Sequence, residues 1–351
     1  MTKQNTALQD AIEFAIASEV GWSRDTTGVW GVHQDDPPPH NRLYGPVHPR
    51  GGVSGVIAQH GRILGEFGDP NRADLTFSVA KAYLSLLAGL AYDRKLLQVD
   101  QPIGSVLPGI GFDDKHNQHI TWRHLLQQTS EWSGHCFDIP DTVDHYRSLA
   151  FAPVTTGKKG QIRQLQAPGT YWEYNDVRIN QLALALLHLF QKPLPEVFRQ
   201  DIAKPCGLSD NWQWVGYDHA WLEINGQRVQ SVPGGSHWGG GVSISAHDQR
   251  RLTELLRTNG KVDDVRVLSE DWICQMRTPC PIAPFYGYLV WLNESQRIFK
   301  SLSSSAYFGM GAGGHFSLVE PDLDLVVVVR WLDSNQANEF FGRVVKAIRS
   351  T

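Results

Sequence analysis

Cysteine is scarce: Cys136, Cys206, Cys274 and Cys280 are the only four, and no two stand at a CxxC or other metal-ligand spacing. Buried free thiols are therefore expected, rather than a disulfide framework or a zinc site. Excess charge of either sign is also lacking. The formal net charge is −4 over 351 residues, with Lys and Arg scattered, so neither nucleic acid nor a membrane is the expected partner. The N-terminal stretch lacks the continuous apolar core of a signal peptide. It carries Lys3, Asp10, Glu13 and Glu19, while Leu8, Ile12, Phe14, Ala15 and Ile16 recur at helical spacing. That pattern predicts an amphipathic surface helix over Met1 to Val20 and a cytoplasmic protein. Leu75 to Tyr92 is apolar enough to imitate a membrane span, but it contains Lys81 and runs into Asp93-Arg94-Lys95, so a buried helix is expected. No G-x-S-x-G elbow, internal repeat or low-complexity tract occurs.

What is present fits an ordinary globular enzyme, with 41% hydrophobic and 19% charged residues in a chain long enough for one large domain or two intimate ones. Tryptophan is plentiful, at 12 residues, several of them beside glycine-rich segments. Val20 to Gly52 is a long connection rich in Pro, Gly and Asp, of the kind that often forms a lid or binding loop. Val53 to Ala58 and Arg62 to Phe67 flank Gln59-His60-Gly61 and predict an antiparallel hairpin. A buried helix over Ser78 to Leu97 follows, and then mostly helix and loop, including Trp122 to Gln128 and Arg178 to Phe190. Strand signals return at Tyr286 to Leu292, His315 to Val319 and Leu325 to Trp331, before a final helix over Asn335 to Ile348. Strands at both ends and helices between predict an α+β arrangement: a sheet domain from residues 1–97 and 231–351, a mostly helical region at 98–230, and a site in the cleft between them.

The chemistry centres on Phe77-Ser78-Val79-Ala80-Lys81. One turn apart on a helix, Ser78 and Lys81 share a face. Lys81 is the only formal charge between Leu75 and Tyr92, and a desolvated lysine loses its proton more readily and can serve as a base. A serine hydroxyl is a weak nucleophile until such a base takes its proton. The alternative reading is a helix-capping serine and a snorkelling lysine. His116-x-x-His119, and His33 near Asp35 and Asp36, lack the spacing of a zinc hydrolase; these are expected to be surface histidines, and no metal or cofactor is predicted.

Further along come Pro168-Gly169-Thr170-Tyr171-Trp172-Glu173-Tyr174-Asn175-Asp176, then Gly239-Gly240-Gly241-Val242-Ser243-Ile244-Ser245 before a helix, then Gly309-Met310-Gly311-Ala312-Gly313-Gly314-His315. With Ile120 to Ser130 between the first two motifs, this ordered set resembles the serine β-lactamase and penicillin-binding-protein superfamily, especially the class C β-lactamase-related esterases, over roughly Val53 to Trp331. The resemblance implies that fold: an antiparallel sheet flanked by helices with an inserted helical region. It also implies that Tyr174 shares proton transfer with Lys81, and that the backbone N–H groups of Ser78 and Ala312 form an oxyanion hole. Gly311 is implied as a supporting residue at that strand, and Trp132 and Trp238 stand near segments that border the family's pocket, although core packing serves each equally well. The G-x-G-x-x-G within the last segment is not read as a dinucleotide site, because no βαβ unit surrounds it.

Two departures carry weight. Gly309-Met310-Gly311 stands where the family carries a cationic motif, and Asp176 stands where it usually has asparagine. A carboxylate touching Lys81 would favour the ammonium, making Tyr174 the better acceptor of the Ser78 proton. The expected reaction is acyl transfer from a small ester or amide through a Ser78 acyl-enzyme, usually to water. An acyltransferase using the same intermediate, or a ligand-binding member without turnover, are the alternatives. Oligomeric state is not encoded in these features.

Overall fold

Leu325-Val326-Val327-Val328-Val329 is an unbroken β-branched run, and such a run suits a strand covered on both faces. In the computed structural model, which describes residues 3–27, 31–149 and 151–350, every residue of Leu325–Arg330 is buried. This strand lies inside a six-stranded antiparallel sheet. Its strands in chain order are β1 (Ser54–Gln59), β2 (Arg62–Phe67), β3 (Trp291–Leu292), β4 (Tyr307–Gly311), β5 (His315–Glu320) and β6 (Leu325–Arg330). Their spatial order is β3-β4-β5-β6-β1-β2, so the two ends of the chain meet where β6 pairs β1, Val56 opposite Val328 and Ile57 opposite Val327. The expected hairpin is β1–β2. Of the expected strand over Tyr286 to Leu292 only Trp291 and Leu292 are in the sheet, because Leu289 takes a positive φ of 61° and turns the chain.

The helices are α1 (Lys3–Ala17), α2 (Ala80–Asp93), α3 (Trp122–Leu126), α4 (Asp176–Phe190), α5 (Leu194–Phe198), α6 (Ala246–Arg257), α7 (Glu270–Met276) and α8 (Ala337–Arg349). Met1 and Thr2, at the head of the expected first helix, lie outside the described residues. Helices α1 and α8 pack together on one face of the sheet, with Phe340 against Phe67 and Phe341 against Phe316. Helix α6 covers the other face, where Ala246 meets Val56 and Val328. Ser245 caps α6 by accepting from the Asp248 N–H, so the glycine-rich segment does open a helix. Helix α2 is apolar on all sides apart from Lys81 and Ser85, as a helix enclosed by protein should be, and it packs against α4, α7 and β4. Among the described residues no helix is long and apolar enough to cross a membrane.

Three of the cysteines are buried free thiols; Cys274 is exposed, because it lies on the outward side of the short surface helix α7.

Candidate active site

Ser78 does not sit in α2 itself. It is the middle residue of a tight 3-10 turn, Phe77–Val79, that feeds the helix. Phe77 takes φ +50°, a left-handed conformation that is costly for an aromatic residue and persists only where the surroundings impose it. Those surroundings are aromatic: Trp22 at 5.5 Å, His315 at 5.8 Å and Trp331 at 6.0 Å between ring centroids enclose the Phe77 ring. Trp331 is itself tied down by its Nε1–H, which donates to Asp74 at 2.8 Å. On the opposite side β4 presses against the turn. A Cβ on Gly311 would stand 2.3 Å from the Thr76 carbonyl oxygen, so glycine is required there.

One helical turn on, Lys81 is buried and its Nζ donates to Ser78 Oγ at 2.9 Å. The same ammonium forms an ion pair with Asp176 and lies 4.8 Å above the centre of the Tyr174 ring. Tyr174 is buried and stacks on Trp291, with 5.6 Å between centroids and 27° between planes. Tyr174 and Asp176 are brought to Lys81 by the start of α4. Asn175 caps that helix, accepting from the N–H groups of Val177 and Arg178 and donating to Asp141. Gly235 lets another loop approach from the far side: a Cβ there would be 3.0 Å from Lys81 Nζ, 3.2 Å from Asp176 Oδ1 and 3.4 Å from Ser78 Oγ.

Asp176 carries more partners than the sequence suggested. It binds Lys81, Arg147 and, at 2.9 Å, His237 Nδ1, while its own backbone N–H donates to Asp144 Oδ2 at 2.7 Å. Burial works against its charge, but the Lys81 and Arg147 cations and the His237 hydrogen bond hold its carboxyl well below the ordinary value. His237 Nε2 reaches Asp36 Oδ2 at 2.9 Å, and Asp36 also pairs with Lys159 and accepts from Trp238 Nε1 at 2.6 Å.

Ser78, Tyr174, Gly311 and Ala312 line one cavity of about 490 Å³. Its wall is completed by Val32 and Asp35 of the long N-terminal connection, by Tyr146, Arg147, Leu149, Phe151 and Lys159, and by His237, Trp291 and Met310. Thus Ser78, Lys81, Tyr174, Asp176, Gly311 and Ala312 come together. Trp132 and Trp238 do not join them at the cavity wall. Trp132 is buried, with its Nε1–H donating to the Gly111 carbonyl, and Trp238 is buried with its indole on Asp36 and the His40 carbonyl. Each indole N–H is satisfied inside the protein, so both tryptophans serve core packing rather than the cavity surface.

Asp36, Asp144, Arg147, Lys159, His237 and Gly235 are site residues that local spacing did not reveal. The only signals were the Asp35-Asp36 pair in the long connection and the glycine-rich run around His237. Asp36, Asp144 and His237 offer ligand atoms within 4.8 Å of one another, a set that fits a metal by donor type. Lys159 is paired with both aspartates, however, and Arg147 with Asp144, so these carboxylates are already matched by protein cations. His33, expected at the surface, is buried, because the connection folds inward at that point; His116 is half-buried and its Nε2–H donates to the Glu131 carbonyl, and His119 is exposed.

A family model described as Beta-lactamase matches residues 47–343. No curated protein matches the chain in sequence. Among solved structures, a penicillin-binding protein homolog from Caulobacter crescentus is 14% identical with a TM-score of 0.64, over 99% of this chain and 98% of that one. EstCE1, described as a hydrolase with promiscuous acyltransferase activity, is 17% identical with a TM-score of 0.62 over 98% of each chain. A D-stereospecific amidohydrolase from Streptomyces sp. is 16% identical with a TM-score of 0.58, also over 98% of each.

Proposed function

The chain belongs to the beta-lactamase family, and from that premise we propose that it hydrolyses esters or amides of small molecules through an acyl-enzyme on Ser78. The observation that carries this reading is the Lys81 Nζ to Ser78 Oγ hydrogen bond of 2.9 Å at the wall of a cavity large enough for a small substrate. Ser78 Oγ attacks the substrate carbonyl and its proton passes to the Lys81–Tyr174 pair. The carbonyl oxygen takes the negative charge and is met by the N–H groups of Ser78 and Ala312. The bond to the leaving alcohol or amine then breaks, and the leaving group receives the proton. Water attacks the acyl-enzyme by the same route in reverse roles, releasing the acid and restoring Ser78. If an alcohol or amine replaces that water, the product is a transferred acyl group, and the likeness to EstCE1 supports testing that branch.

Lys81 is already engaged by Asp176, which supports Tyr174 as acceptor of the Ser78 proton. The test is intact mass after treatment with a fluorophosphonate, beside turnover of a short p-nitrophenyl ester. Wild type should gain one adduct that Ser78→Ala lacks; an equal adduct on the variant would overturn the assignment.

A further inference from the structure

Three carboxylates, Asp36, Asp144 and Asp176, are buried around one point, and three basic side chains, Lys81, Arg147 and Lys159, are set against them. His237 is the remaining group of the cluster, and its geometry is unusual for a neutral ring. Nδ1 stands 2.9 Å from Asp176 Oδ2 and Nε2 stands 2.9 Å from Asp36 Oδ2. A neutral imidazole has one N–H, so it would point a lone pair at one of these two carboxylates; an imidazolium donates to both. The charged and titratable groups facing the ring come from every side. Asp36 and His33 belong to the N-terminal connection, Asp144 (4.0 Å from Nδ1) and Arg147 to the loop before α4, and Asp176 to α4, with Lys159 behind Asp36.

We propose that His237 is a positioning residue, an imidazolium held between Asp176 and Asp36 that offsets the Asp176 charge at Lys81 and so lets the Ser78 proton leave. This rests on the acyl-enzyme reading above. Whichever of Lys81 and Tyr174 accepts that proton must first be without its own, and a neighbouring positive charge favours the deprotonated form. With Arg147 and His237 both on Asp176, the carboxylate acts on Lys81 much as a neutral amide would. Without the imidazolium, Asp176 holds the Lys81 ammonium more firmly.

A displaced pH profile follows. The labelling rate rises as the Ser78 base loses its proton, and the imidazolium sets the pH at which that rise comes. Burial works against the His237 charge, but Asp144 and the hydrogen bonds to Asp176 and Asp36 outweigh it and the repulsion from Arg147. The ring is therefore held above the ordinary histidine value of 6.5, so the charge that favours the base is in place at that pH.

The experiment is the rate of fluorophosphonate labelling of Ser78, followed by intact mass from acid to alkaline pH, with folding of each variant checked by circular dichroism. His237→Gln keeps a hydrogen-bonding side chain without the charge. It should label about tenfold more slowly or worse at neutral pH, corresponding to one pH unit or more of alkaline displacement of the rise. Adding Asp176→Asn to that variant removes the charge that needed offsetting and should restore most of the lost rate. Asp36→Asn leaves His237 in place but weakens its hold on the proton, so the rise should move to higher pH, in the direction of His237→Gln. Wild-type labelling rate and profile in His237→Gln would overturn the proposal, as would a folded double variant no faster than the single one. Should His237→Gln not fold, an unmoved rise in Asp36→Asn overturns it alone. Absence of any Ser78 adduct on wild type at every pH would instead overturn the acyl-enzyme reading itself.

Discussion

Tyr174 offers its ring to the Lys81 ammonium and its edge to Tyr286, while Trp291 stacks behind it. Tyr174→Phe keeps every one of those ring contacts and removes only the hydroxyl, which makes it a clean probe. If the hydroxyl carries the proton, turnover of a p-nitrophenyl ester should fall by about a hundredfold or more with thermal stability nearly unchanged. A variant with near-normal turnover would reduce Tyr174 to a packing residue beneath Lys81. His315 tests a different property of single residues. It is buried behind Phe77 with no hydrogen-bond partner for either ring nitrogen among the described residues. Burial, with Arg330 and Arg50 nearby, pushes its titration well below the ordinary 6.5. Because the unfolded chain then binds the proton more readily, this residue's contribution to stability is intact above pH 6.5 and declines as the pH falls below it. His237 has the opposite sign, its contribution being intact at low pH and lost as the pH rises through its raised value. The melting temperature of His315→Leu should accordingly fall less than that of wild type between neutral pH and mild acid. Parallel curves for the two proteins would contradict the assignment.

At the scale of elements, the site depends on two close approaches and one helix cap. Strand β4 can lie against the Ser78 turn only because Gly311 has no side chain; Gly311→Ala would drive a methyl group into the Thr76 carbonyl, 2.3 Å away. The strand or the turn must then shift, at a cost of about 1–3 kcal/mol, and Ala312 shifts with it. Ser78 labelling should slow more than stability alone accounts for, measured well below the melting temperature. The cap works from the other side. Asn175 accepts from two N–H groups of α4 and donates to Asp141, and it is flanked by Tyr174 and Asp176. Asn175→Ala should cost about 1–2 kcal/mol from the cap, read as a lower denaturation midpoint. A change confined to stability, with labelling untouched in the folded protein, would separate the cap from the site.

The whole molecule decides which substrates fit. Each lining cation is already matched: Arg147 by Asp144 and Asp176, Lys159 by Asp36 and Asp144, His237 by Asp36 and Asp176. Asp35, on the cavity wall and exposed, has no ion pair among the described residues. An anionic substrate therefore meets no spare positive partner, and loses roughly 1.5–3 kcal/mol relative to a site with one charge-assisted hydrogen bond. Nitrocefin should be turned over with a kcat/KM well below that of a short p-nitrophenyl ester under the same conditions. Equal or faster nitrocefin turnover would mean that Arg147 or Lys159 leaves its carboxylates when substrate binds.

The sequence by itself determined the β1–β2 hairpin, the buried helix behind Ser78, the one-turn spacing of Ser78 and Lys81, and the glycines of β4. All are encoded over a few residues, where periodicity and turn chemistry act directly. It also pointed to Tyr174 and Asp176, through the order of its motifs. It did not reveal the charge cluster that surrounds Asp176. His237 and Asp36 are 201 residues apart, and His237 and Asp176 are 61 apart. No local spacing links them, and each alone reads as an ordinary polar residue on a loop. Nor could the tryptophans be assigned from their neighbours in sequence, since whether an indole faces a cavity or a core depends on what packs from the other side. Only the tertiary structure, by burying three carboxylates and their cations in one low-dielectric volume, made their charges interdependent and brought them to Lys81 and Ser78.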